Sequence, residues 1–264
     1  MFVAGVSRVA GLAGGIFNMP IDKIGSSILG LPPAWISRAV SRGGAMSNTD
    51  EIRKLLGEPI PRVVDQSTLR PEIAAFFAQG GLLERLRKKL SIFSRKKGGK
   101  ILPAHGTIAS VDEDDNLYVG VDFLEQFGSD EQLVAGIVAH EWGHMMSDLP
   151  RGVDWSHLTW DELHSMRRDE EADADGFAGR AMFLMRYSVE PMIKFLEELD
   201  KLKKEKTKAK EELACHKYHN LATRIAILRE SYEAEKRALE TARRIFLQSK
   251  DSTGPKVGRV IGDG

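Results

Sequence analysis

Residues 139–144 read Ala139-His140-Glu141-Trp142-Gly143-His144, an H-E-x-x-H pattern late in an apolar run. At about 3.6 residues per turn, His140 and His144 share one helix face one turn apart, so two imidazoles can converge on one metal ion. Glu141 is rotated about a quarter turn from His140, where its carboxylate can approach a metal-bound water without joining the ligands. Leu133, Val134, Ile137 and Val138 mark the same helix as largely buried, which fixes the ligands on a rigid element. Ser129 with Gln132 matches the reciprocal capping box that opens this helix, and Thr159 with Glu162 opens a second one in the same way.

A catalytic zinc ion takes three protein ligands and keeps a fourth position for water. A metzincin would place histidine six residues after His144, but Pro150 stands there and removes that subclass. The later helix supplies Asp169-Glu170-Glu171-Ala172-Asp173-Ala174-Asp175. Glu171 and Asp175 are four apart on one face, which suits Glu171 as a ligand and Asp175 as an acid orienting a ligating histidine. Glu170 points about a quarter turn away, and on that geometry a solvent-facing acid is favoured over a ligand. Glu162 is the other rival, without a partner acid at the matching spacing.

The composition limits the surroundings of this motif. A chain of 264 residues suits one main core with appended segments. Thirty-eight basic and 38 acidic side chains balance, so global charge gives no reason to expect nucleic acid as a partner. Cys215 is the single cysteine, which excludes an internal disulfide and a cysteine-rich metal site. That fits a reducing compartment such as the cytoplasm, with a periplasmic protein lacking disulfides as the other option. Between Arg8 and Asp22 only thirteen residues are uncharged, whereas a spanning helix needs roughly 20 apolar ones. A secretory signal also fits poorly, because no positive residue precedes Met1–Val6 and Arg8 follows closely.

Along the chain, residues 1–47 read as a Gly-rich leader, flexible or lying on a surface, with Pro32-Pro33 breaking any helix. Residues 48–100 read as a helical N-terminal segment: a short helix around Glu51–Leu56, then one that starts at Pro71 and runs towards Leu90. The stretch 82–100 holds eight basic residues against Glu84 alone. A solvated helix face followed by a Gly98-Gly99 linker is the plainer account of it, and peripheral membrane contact through 82–100 or 1–47 is the alternative. Thr107–Asp112 and Leu117–Val121 read as two strands reversed by Glu113-Asp114-Asp115-Asn116. Leu117, Val119 and Val121 would share one face of that hairpin, and Tyr118 and Gly120 the other. Helical periodicity governs residues 129–248, with Lys201–Glu212 an exposed mixed-charge face or a connection between helices, and 249–264 reads as a flexible tail.

The order Leu117-Tyr118-Val119-Gly120, Phe123-Leu124-Glu125, Asp130-Glu131-Gln132-Leu133, the H-E-x-x-H string and Glu171-x-x-Ala174-Asp175 resembles the zinc endopeptidases that include the CAAX prenyl protease and the HtpX-type heat-shock peptidases. The resemblance covers about residues 100–231. It implies an α+β, mainly helical, zincin-like core (101–248) with a small antiparallel sheet beside the active-site helix. It implies one zinc ion on His140, His144 and Glu171, with Asp175 as the supporting acid. The family also tends to carry a histidine-proline pair followed by an arginine that stabilises the transition state. The similar string here is His219-Asn220 with Arg224, which departs from the pattern in lacking the proline and in being one residue shorter.

Zinc on those ligands brings the pKa of its water to about 7, where Glu141 can act as general base on the way to peptide hydrolysis. A protein or peptide substrate is expected to add as a strand along Leu117, Tyr118, Val119 and Gly120, because main-chain hydrogen bonds tolerate many sequences. The non-catalytic alternative is a silent zincin-like module that binds a protein partner or a membrane surface.

Overall fold

A computed structural model describes residues 61–112, 114–147, 158–207 and 219–252. The leader, the helix expected over Glu51–Leu56, Pro150, Cys215 and the tail beyond residue 252 lie outside those residues. In chain order the described elements are β1 (Arg62–Val63), α1 (Pro71–Phe77), α2 (Leu82–Ser94), β2 (Ile101–His105), β3 (Ala109–Val111), β4 (Leu117–Gly120), α3 (Val121–Phe127), α4 (Glu131–Met145), α5 (Trp160–Met185), α6 (Glu190–Thr207) and α7 (Leu221–Ser252). The protein is thus mainly helical with one small sheet, an α+β arrangement.

α4 is the centre of this arrangement. Every residue from Leu133 to Met145 is buried, so the helix is enclosed on all sides by β3, α2, α5 and α6. A helix that is apolar all round belongs in a core. Its first turn is capped by Asp130, which accepts from the Leu133 amide at 2.9 Å. The box expected at Ser129 and Gln132 does not form, because Gln132 instead accepts from the Ser188 amide at 2.7 Å and ties α4 to the start of α6. The Thr159–Glu162 box at α5 is present in both directions.

The single helix expected from Pro71 towards Leu90 is two. Gly80 takes the left-handed conformation, φ 77°, and lets the chain turn between α1 and α2. Leu82, Leu83, Leu86 and Leu90 of α2 face inward and join the same core as α4. Much of the basic stretch is engaged within the chain: Lys88 pairs with Glu84 at 3.0 Å, Arg85 with Glu131 at 3.6 Å and Lys96 with Asp115 at 3.1 Å. Lys96 also donates to the Met145 carbonyl, a cation placed at the C-terminal end of α4 where the helix dipole favours it. α7 continues through Ser252 and so overruns the boundary expected at residue 249.

The sheet order is β1-β2-β4-β3. β3 and β4 form the expected antiparallel hairpin, with Ser110 opposite Tyr118. The sheet as a whole is mixed rather than antiparallel, because β2 runs parallel to β4 with Leu102 opposite Tyr118. β2 escapes a sequence reading because Pro103 argues against an inner strand. Its missing donor falls on the β1 side, where pairing is only two residues long and ends with the Val64 amide on the Pro103 carbonyl. All four residues of β4 are buried, so both of its faces are covered, and Val121, expected on the face of Leu117 and Val119, opens α3 instead.

Candidate metal centre

Two helices build the centre, and close approach brings them together. A Cβ on Gly143 would lie 2.6 Å from the Cα of Ala174, so the glycine of the motif and the alanine of the later helix set the α4–α5 separation. That contact places Glu171, one turn before Ala174 on α5, against the histidine face of α4. Among the described residues, His140, His144 and Glu171 form a buried group in which one ligand atom from each lies within 4.8 Å of the others.

Both imidazoles point Nε2 at Glu171. His140 Nε2 is 3.3 Å from Glu171 Oε2, and His144 Nε2 is 3.7 Å from Glu171 Oε1. The rings stand 4.9 Å apart and nearly perpendicular, at 89°. Neither Nε2 has an aligned hydrogen bond, nor does Glu171 Oε2, although all three are buried. Three such polar atoms aimed at one point in a core are costly unless something binds them. A two-nitrogen, one-oxygen set at this spacing is the donor set of a divalent metal ion, so the residues fit one.

Behind each imidazole stands a carboxylate, and behind each carboxylate a buried arginine. Asp175 Oδ1 lies 3.0 Å from His140 Nδ1, and Arg224 clamps Asp175 with Nε to Oδ2 at 2.7 Å and a terminal nitrogen to Oδ1 at 2.8 Å. Glu170 Oε1 lies 3.4 Å from His144 Nδ1, and Arg167 donates to its other oxygen. Arg167 also reaches Glu171 Oε1 at 2.7 Å. A carboxylate at Nδ1 fixes the ring and leaves Nε2 to face a metal.

The charges are mutually held. Burial opposes ionisation of Glu171, but Arg167 and then the two histidines outweigh it and keep the carboxyl far below its ordinary range. Burial likewise opposes Asp175, where Arg224 outweighs it, and Glu170, where Arg167 does. For His140, burial disfavours the cation, yet Asp175 and Glu171 push its pKa up to about 10.

The structure therefore brings His140, His144, Glu171 and Asp175 together as the spacing predicts. Glu141, the next residue of the same helix turn, is also buried. Four expectations change. Glu170 is not a solvent-facing acid, because α5 packs that flank against α4 and puts it beside His144. Arg224 is not held ready for a developing charge; its guanidinium fork is taken up by Asp175. His219, half-buried just ahead of the Asn220 cap of α7, lies outside this hydrogen-bonded group. Leu117, Tyr118, Val119 and Gly120 cannot receive a substrate strand, because β4 is inside the sheet and already paired with β2 and β3.

Arg167 was not singled out by the sequence, although its spacing of three and four residues to Glu170 and Glu171 is the ion-pair spacing of a helix. What the string does not show is which flank of α5 is buried. No family model, no curated protein and no solved structure matches the chain.

Proposed function

We propose that this chain is a zinc-dependent endopeptidase with a zincin-like core, similar in site chemistry to the CAAX prenyl protease and HtpX-type peptidases. The observation that carries the reading is the convergence of His140, His144 and Glu171, with a carboxylate behind each imidazole and Glu141 on the adjoining position of the same turn. Among the described residues no helix is long and apolar enough to cross a membrane.

Zinc held by His140, His144 and Glu171 would supply a Lewis acid that acidifies water and polarises a peptide carbonyl. His140 and His144 present Nε2 to it, and Glu171 adds a negative charge from α5. Glu141 takes the water proton as general base and returns it to the leaving amine. Asp175 and Glu170 keep the imidazoles in the tautomer that leaves Nε2 bare, and Arg224 holds Asp175 in register. The enclosed, apolar setting of α4 keeps these groups from reorganising during the reaction. With β4 enclosed, a peptide that adds as a strand does so at an outer strand of the sheet, β1 or β3.

The test is peptide hydrolysis by the full chain with and without a chelator, alongside Glu141→Gln. The substitution keeps shape and zinc content and lowers turnover by about 10²–10⁴-fold. Turnover equal to the parent would remove Glu141 from the mechanism, and chelator-insensitive turnover would remove the metal.

A further inference from the structure

Arg167 stands apart from the ordinary ion pairs of the chain. It is buried, and its two terminal nitrogens divide between two carboxylates of the same helix, one to Glu170 and one to Glu171 Oε1. Those carboxylates face the two parts of one centre. Glu170 backs His144 through Nδ1 at 3.4 Å, whereas Glu171 faces both Nε2 atoms. A planar guanidinium is suited to this, since its fork holds two acceptors at fixed separation.

The two oxygens of Glu171 are not equivalent. Oε1 is 2.7 Å from Arg167 and 3.7 Å from His144 Nε2, while Oε2 is 3.3 Å from His140 Nε2. One oxygen is therefore engaged by a cation and the other faces the histidines. A carboxylate free at both oxygens can close on a divalent ion with two bonds, which fills the corner that water needs. A carboxylate with one oxygen tied to a guanidinium gives a single bond and leaves that corner open.

We propose that Arg167 is a positioning residue of the metal centre: it ties down Oε1 so that Glu171 ligates through Oε2 alone, and through Glu170 it fixes the ring of His144. The centre then has two matched supports, His140–Asp175–Arg224 and His144–Glu170–Arg167, but only the second also limits how a ligand can bind. This rests on the metal-site reading above, and the experiment separates the two.

Cobalt(II) replaces zinc in the purified full chain, and the visible absorption of the ion reports its coordination number without any assay of activity. The parent shows the intense bands of a four-coordinate ion. In Arg167→Met, Oε1 is released to the ion, and the bands weaken to those of a five-coordinate site. Glu170→Gln keeps the four-coordinate bands but binds zinc about 10–100-fold more weakly in competition with a chelator. Because Arg167→Met alone strands two buried carboxylates, the double variant Arg167→Met/Glu170→Gln, which removes one charge of each sign, is measured beside it. It should show the five-coordinate bands as well. Parent-like bands in whichever of the Arg167 variants folds would overturn the role assigned to Oε1. Unchanged zinc affinity in Glu170→Gln would overturn the support of His144. A parent chain that takes up no cobalt and no zinc would instead sink the metal-site reading itself.

Discussion

Gly143 lies between the two halves of the H-E-x-x-H string, and its lack of a side chain is what lets Glu171 reach the histidines. A methyl group there would sit 2.6 Å from Ala174 Cα, a backbone atom that cannot swing aside. Gly143→Ala therefore forces α4 and α5 apart. The expected cost is about 1–3 kcal/mol of stability, as for other overpacked cores, with zinc affinity falling in parallel. Denaturant titration checks the first and chelator competition the second; a parent-like midpoint would mean the helices are not in contact at this glycine. At this scale the spacing of His140, Glu141 and His144 was legible, because one helix sets it. The pairing of Glu170 with His144 was not, since a residue string does not say which flank of a helix a neighbour will cover.

At the scale of elements, the β3–β4 hairpin depends on Asp112. Its carboxylate accepts from the amides of Asp114 and Asn116, each at 2.9 Å, from the Asn116 side chain at 2.9 Å and from the Tyr118 hydroxyl at 2.7 Å. Burial raises its pKa, but these donors outweigh burial and hold it below the ordinary 3.8. Burial, and then the same carboxylate, push Tyr118 up to about 12. Asp112→Ala is expected to cost about 1–3 kcal/mol at neutral pH. Because the folded pKa is depressed, that stability is present above the unfolded value and is lost as pH falls through the folded one. The gap in melting temperature between parent and variant should thus narrow on acidification below about pH 4; a constant gap down to pH 2 would show that the carboxylate charge is not what holds the turn. That the chain reverses between β3 and β4 was readable from its turn-forming residues, and β2 was not, because its parallel partner lies across the hairpin and its proline points the other way.

For the whole molecule, His140 and His144 on α4 meet Glu171 on α5 only once the two helices pack, so a metal ion held there would be coupled to folding. Free zinc at about 100 times its dissociation constant should add about 2.7 kcal/mol of apparent stability, seen as a rise in melting temperature that a chelator reverses. Glu171→Ala should abolish the zinc response; a variant that still responds would move the third ligand to Glu170 or Glu162. The sequence alone put His140 and His144 on one helix face with Glu141 beside them, and Glu171 and Asp175 on one face of a later helix, because helical periodicity is local and fixes which residues share a face. The tertiary structure alone decided that the sheet is mixed with β4 enclosed, that Arg224 serves Asp175, and that Arg167 and Glu170 stand beside His144 and Glu171. Those outcomes depend on which buried surfaces meet, and long-range packing leaves no periodic trace in a chain of residues.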